Sequence, residues 1–145
     1  MRAVIQRVDR AGVSINNKEI SSINEGILVL LGVEKEDSKS DADYILDKTI
    51  NLRIFEDEQG KTNLSVLDVK GEAIVVSQFT LYADARKGRR PSFTDAALPE
   101  IASPFVDRFV ELLRGHGVPT QTGQFGAHMD VEIHNDGPVT IWLEK

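Results

Sequence analysis

Two short stretches of this sequence carry residue types and spacings that can do chemistry. Ser77-Gln78-Phe79-Thr80 sets two hydroxyls and a side-chain amide directly after the apolar run Glu72-Ala73-Ile74-Val75-Val76, so polar groups appear abruptly where a buried strand ends. A nucleophilic hydroxyl needs a base to take its proton. Here Ser77 lacks the Gly-x-Ser-x-Gly elbow, and no signature ties any of the three histidines to Ser77 or Thr80. Ser77 and Gln78 also read as strand-end residues that hydrogen-bond the local backbone. The second stretch is Asn135-Asp136-Gly137-Pro138, which by itself reads as a hairpin turn with Pro138 opening the next strand.

Metal chemistry finds little support. His128, Asp130, Glu132 and His134 share one parity and hence one face of a strand, with Met129, Val131 and Ile133 between them. Same-face neighbours lie about 6.6–6.8 Å apart, so four of them do not converge on one ion, and the interleaved apolar residues make the polar set a solvent face. The chain has no cysteine, which removes thiolate zinc sites, disulfides and cysteine nucleophiles together. Neither Gly-x-x-x-x-Gly-Lys-Ser/Thr nor Gly-x-Gly-x-x-Gly occurs, and no carboxylate pair is marked out by its setting. A site with no metal and no cofactor is expected.

The formal net charge of −6 argues against coating nucleic acid by bulk electrostatics. Arg86-Lys87-Gly88-Arg89-Arg90 nevertheless gathers four cations into five residues ahead of Pro91, either a solubilising loop or a positive patch on an acidic body. The apolar runs after Met1-Arg2 and from Ile27 to Val33 are too short for a signal peptide or a membrane span. A cytoplasmic location and no membrane partner are therefore expected.

The elements that must hold these residues follow from periodicity. A chain of 145 residues, 41% hydrophobic and 28% charged, is expected to form one domain over residues 1–145. Arg2 to Ile15 reads as the start of a hairpin turning at Asn16-Asn17, and Gly26 to Val33 as a central strand buried on both faces. Ser38 to Asp41 supplies N-cap candidates for a helix with Ala42, Ile45, Leu46, Ile50 and Leu52 at helical spacing. Arg53-Ile54-Phe55 reads as a short strand before a turn at Asp57 to Lys61. Ser103 is read as the cap and Pro104 as the first residue of a second helix, which ends at Gly115 and Gly117. Met129 to Ile133 and Val139 to Leu143 form the last two strands. The expected class is α+β, an antiparallel, barrel-like sheet with helices packed on one side.

Ser77-Gln78-Phe79-Thr80-Leu81-Tyr82-Ala83-Asp84 and Asn135-Asp136-Gly137-Pro138-Val139-Thr140 together resemble the two signature motifs of the D-aminoacyl-tRNA deacylase family. The opening residues 1–8 and the segment Gly123-Gln124-Phe125-Gly126-Ala127-His128-Met129 are similar to that family too, so the resemblance spans essentially the whole chain. It implies a hydrolase for the ester that joins a D-amino acid to the terminal adenosine of tRNA, acting also on glycine mischarged on tRNA(Ala). It implies catalytic roles for Ser77, Gln78, Phe79 and Thr80, and substrate binding by Gly137, Pro138, Arg7, Phe125 and Met129. It further implies a homodimer, in which a cis Gly137-Pro138 peptide held by Arg7 projects into the partner's site. The remaining partner is the acceptor end of aminoacyl-tRNA, with residues 86–90 near the acceptor stem.

Chirality explains why backbone serves in such a site. Once the amino group and ester carbonyl are fixed, D and L enantiomers differ by exchanging hydrogen and side chain. A rigid clamp offering the Gly137 and Pro138 carbonyls to the amino group drives an L side chain into itself and leaves a D side chain pointing away. Many D-amino acids, and glycine, then pass. For hydrolysis, N–H groups around Phe79 and Thr80 are expected to form an oxyanion hole. Either Thr80 is the nucleophile, or the ribose hydroxyl helps to activate water. A non-catalytic RNA-binding module and a small-ester hydrolase are the alternatives.

Overall fold

Two long strands organise the computed structural model, which describes all 145 residues. The first, β1 (Arg2–Ile15), turns at Asn16 and Asn17, both at positive φ, into β2 (Lys18–Ile23). Then come β3 (Gly26–Gly32), α1 (Lys39–Asn51), and a small hairpin of β4 (Phe55–Glu56) and β5 (Thr62–Leu64). β6 (Glu72–Ser77), α2 (Pro99–Gly115), β7 (Thr120–Thr122) and the second long strand, β8 (Asp130–Glu144), complete the chain. The main sheet runs β2-β1-β3-β6-β7, with β8 along the other edge of β1.

The α+β class stands, and the sheet is mixed rather than antiparallel. β1 pairs antiparallel with β2, β3 and β8, whereas β3 with β6 and β6 with β7 are parallel. Parallel neighbours need long crossovers, and the connections that contain α1 and α2 supply them.

One sheet face, carrying Ala3, Ile5, Val29, Leu31 and Val75, packs beneath the two helices in a single apolar core. The opposite face encloses a smaller core around Val8, Ala11, Val13, Leu28 and Ile74, against which Val131 and Ile133 pack. β3 and β6 serve both cores, which is why they read as unbroken apolar runs. β1 changes core midway. Val8 pairs with Asn135 and Arg10 with His134, so Asp9 bulges out and inverts the alternation: Ala3 and Ile5 face the helices, Ala11 and Val13 the inner core. The seam between β2 and β7 is bridged by one side chain. Gln121 donates from Nε2 to the Ser22 carbonyl at 2.6 Å and accepts the Ser22 N–H at 3.1 Å, giving a nearly closed barrel.

Ser38 is the N-cap of α1, and its N–H donates to the Asp41 carboxylate at 2.9 Å. α2 departs from expectation. It starts at Pro99, capped by Leu98, and Pro104 lies inside it. Pro99 already fills the first helical position, and the bond Pro104 cannot make belongs to the carbonyl of Glu100, a solvent-exposed residue, so water can replace it. The last two expected strands are one continuous β8, because β1 is long enough to template both halves. No helix is long and apolar enough to cross a membrane.

Replacing Gln121 with Ala removes both bonds across the seam at a solvent-exposed position. Stability should fall by about 1 kcal/mol, read from the urea-unfolding midpoint, and an unchanged midpoint would show that the seam needs no side-chain bridge.

Candidate functional site

The ladder of β6 closes with the Gln78 N–H donating to the Leu31 carbonyl at 2.8 Å, after which the chain coils into a single 3-10 turn, Phe79–Tyr82. This turn folds back over the end of β3 and packs closely on Gly32. A Cβ on Gly32 would meet the Gln78 carbonyl oxygen at 3.1 Å, and Leu81 Cβ and Tyr82 Cε2 at 3.2 Å. Arg2 pins the turn by donating to the Leu81 carbonyl at 2.9 Å, with its guanidinium 4.4 Å from the Tyr82 ring centre. Because they open the turn, Phe79 and Thr80 present N–H groups that have no acceptor in the protein. The Gln78 amide donates to Thr80 Oγ1. His116 and His134 bond elsewhere, to the Leu112 carbonyl and to Glu132.

Beside these free donors opens a cavity of about 580 Å³, within the range of small-ligand sites. Ser77, Gln78 and Phe79 line one side, Phe125 and Met129 another, and the small side chains of Ala97 and Ala102 leave the width between. Met129 rests directly on Gly123, where an added Cβ would meet its sulfur at 2.5 Å. His128 precedes β8 and so does not share a strand face with Asp130, Glu132 and His134; it is exposed, and it is the one ionisable side chain in the lining.

A cationic finger stands at the rim. Asp84 and Ser92 exchange backbone hydrogen bonds of 2.8 and 2.9 Å, which close residues 85–91 into a hairpin. Arg86 donates twice to the Asp84 carboxylate, at 2.9 and 2.8 Å, and holds its pKa down at about 2. Lys87, Arg89 and Arg90 are exposed. The finger returns through Phe93, which lines the cavity and meets Phe79 edge to face with ring centres 5.1 Å apart.

Asn135 to Thr140 lie elsewhere. Gln6 pairs with Thr140 and Val8 with Asn135, so a single residue of β1, Arg7, faces residues 136–139 of β8, which loop outward. The Arg7 side chain is buried. It donates to the Asp136 carbonyl at 3.0 Å and to the Ile54 carbonyl at 2.6 Å. Gly137-Pro138 is cis, and both residues are exposed. Neither they nor Arg7 line the cavity of their own chain, and Thr80 lies just outside its lining. Sequence reasoning missed Arg2, Gly32, Phe93 and the two alanines, which touch the site only through the fold.

Unpaired N–H donors at a strand end, a largely apolar cavity beside them and a cationic rim can together hold an acyl group carried on an anionic chain. Comparison with known proteins agrees. The chain belongs to the D-Tyr-tRNA(Tyr) deacylase family, whose sequence model matches residues 4–144. It is 56% identical to a D-aminoacyl-tRNA deacylase of Fervidobacterium nodosum, covering 100% of this chain and 97% of that protein. For the D-aminoacyl-tRNA deacylase of Thermomicrobium roseum the identity is 58%, covering 100% and 94%. The solved structure of the c-Myc DNA Unwinding Element Binding Protein superposes with a TM-score of 0.95 at 46% identity, covering 100% of this chain and 99% of that one.

The Asp84–Arg86 pair has a defined pH window. The carboxyl's pKa is depressed from 3.8 to about 2, so the pairing is fully present above pH 3.8 and lost as pH falls through the lower value. An NMR titration of Asp84 should show that depressed midpoint, and Arg86→Ala should return it towards 3.8. A midpoint unmoved by the substitution would contradict the pairing.

Proposed function

We propose that this protein hydrolyses D-aminoacyl-tRNA to free D-amino acid and tRNA, selecting against L substrates with a Gly137-Pro138 clamp supplied by a second copy of the chain. The observation that carries the reading is the pair of acceptorless N–H groups at Phe79 and Thr80 beside the cavity, in a chain of this family. Water adds to the ester carbonyl, and the oxygen that becomes negative accepts these two N–H groups. The C–O bond to the ribose then breaks, and the ribose oxygen leaves as a hydroxyl with the proton that the attacking water gives up. Thr80 Oγ1 already accepts the Gln78 amide and has no basic partner, which supports water as the nucleophile, oriented by the neighbouring ribose hydroxyl.

Three features support completion of the site by a second copy. Gly137 and Pro138 are exposed and do not line their own chain's cavity. β8 pairs only with β1, so its other edge carries no strand. On the sheet face away from the helices, Trp142, Val4, Leu30 and Val76 lie side by side; Trp142 is 49% exposed and Val76 lines the cavity. A symmetric partner over that face covers the tryptophan and brings its own loop towards the cavity. The two carbonyls receive the substrate's amino group, and glycine, with no side chain to reject, passes as well, which extends the reading to glycyl-tRNA(Ala). Lys87, Arg89 and Arg90 contact acceptor-stem phosphates, and the protein works in the cytoplasm where tRNA is charged.

The test is hydrolysis of D-tyrosyl-tRNA, L-tyrosyl-tRNA and a free D-tyrosine ester. The D-aminoacyl-tRNA should turn over roughly 100-fold or more faster than the L form, with the free ester a poor substrate. Binding without hydrolysis would instead indicate an RNA-binding module, and equal rates on all three a general esterase. Neutralising Lys87, Arg89 and Arg90 together should raise KM and flatten its salt dependence while kcat holds.

A further inference from the structure

The residues 136–139 that leave the ladder have two ends, and each is tied down. Before Gly137, Arg7 donates to the Asp136 carbonyl at 3.0 Å. After Pro138 the chain meets Val139, which has no partner on β1 because the ladder resumes only at Thr140. Asn135 supplies that partner. Its Oδ1 accepts the Val139 N–H at 2.8 Å, and its Nδ2 donates to the Val139 carbonyl at 3.3 Å and to Thr140 Oγ1 at 3.1 Å. A side-chain amide offers the same donor and acceptor as a peptide group, so Asn135 substitutes for the missing strand. Val139 also closes on the loop. A Cβ at Gly137 would meet the Val139 nitrogen at 2.9 Å and Arg7 Nη2 at 3.2 Å, so Gly137 is walled in by Arg7 itself and by the Val139 group that Asn135 holds.

We infer that Asn135 is a positioning residue for stereochemical selection, setting the direction of the Gly137 and Pro138 carbonyls from the far side of the loop, with Thr140 and Gln6 steadying its amide. The inference rests on the clamp reading above. Thr140 Oγ1 accepts the Asn135 amide and also Gln6 Nε2 at 3.2 Å, so the chain Gln6–Thr140–Asn135–Val139 runs from β1 to the residue that follows Pro138. Its geometry explains why asparagine is needed. Aspartate keeps the acceptor for the Val139 N–H and can accept from the Thr140 hydroxyl, but it has no hydrogen for the Val139 carbonyl and turns a carboxylate oxygen towards that carbonyl instead.

The experiment measures kcat and KM for D- and L-tyrosyl-tRNA, with urea midpoints, for the wild type and for Asn135→Ala, Asn135→Asp, Thr140→Val and Thr140→Ser. Asn135→Ala should lower the D-to-L ratio of kcat/KM by about 10- to 100-fold, since a carbonyl misplaced by an ångström loses that much. Asn135→Asp should not restore it. Thr140→Val should lower the ratio by a smaller factor, and Thr140→Ser, which keeps Oγ1, should recover it. A role in folding alone would lower the urea midpoint and leave the ratio untouched. A wild type that prefers D while Asn135→Ala and Thr140→Val keep its ratio overturns the inference and leaves the clamp standing. If Asn135→Ala does not fold, the Thr140 pair decides by the same ratio. A wild type with no D preference overturns the clamp reading and this inference with it.

Discussion

Arg7 stands alone on β1 opposite four residues of β8, and the rest of the structure is arranged around that mismatch. A guanidinium this buried is costly unless it is paired and hydrogen-bonded, and Arg7 meets the Asp136 carboxylate at 3.0 Å and donates to the Asp136 and Ile54 carbonyls. The contacts with Asp136 tie the outward loop to the barrel, and the bond to Ile54 ties it to the residue just before β4. Two positions further on, Asp9 bulges and β1 passes from the core under the helices to the inner core. The same short stretch therefore ejects Gly137-Pro138 from the ladder and curls both long strands around the barrel. A lysine at position 7 would offer one cationic nitrogen where the structure uses the separated donors of a planar fork.

The half of the proposed site that lies at the end of β6 obeys a different constraint. It depends on a strand that stops: β6 ends, Gly32 admits the 3-10 turn above β3, and Arg2 holds that turn down, so two N–H groups face the cavity edge without acceptors. Chemistry of this kind needs no catalytic triad. It needs donors that do not move, a wall that keeps solvent out, and something that senses the α-carbon. On the proposed reading, the first two lie within one chain and the third is the exposed loop. In the proposed assembly, isologous symmetry gives two equivalent sites from one self-complementary face.

Much of this was legible in the residues, for identifiable reasons. Continuous apolar runs announced β3 and β6 because both are buried on both faces, and Ser38 announced α1 because a cap is a local signal. The start of α2 was misread because Pro104 follows a serine, a local pattern indistinguishable from a real start, whereas the helix is set by Pro99 and by Ala102 reaching the core. Asn135 to Pro138 read as a turn because turn chemistry is what the residues offer. That the chain continues in the same direction depends on β1, more than a hundred residues away in sequence. Parallel pairing of β3, β6 and β7 had no local signature either. Strand end and loop were recognisable as motifs, but their separation within one chain is visible only in the fold.

The central claim is that each site combines a cavity from one chain with a loop from another, and mixed subunits test it most directly. One variant would carry a blocked cavity, Ala102→Trp, and the other a displaced loop, Gly137→Ala, each inactive on D-tyrosyl-tRNA alone. After the two are unfolded together and refolded, random pairing gives heterodimers with one intact site in each, so activity should return to roughly a quarter of the wild-type level. A mixture that stays as inactive as its components, with heterodimers verified by mass, would contradict the account.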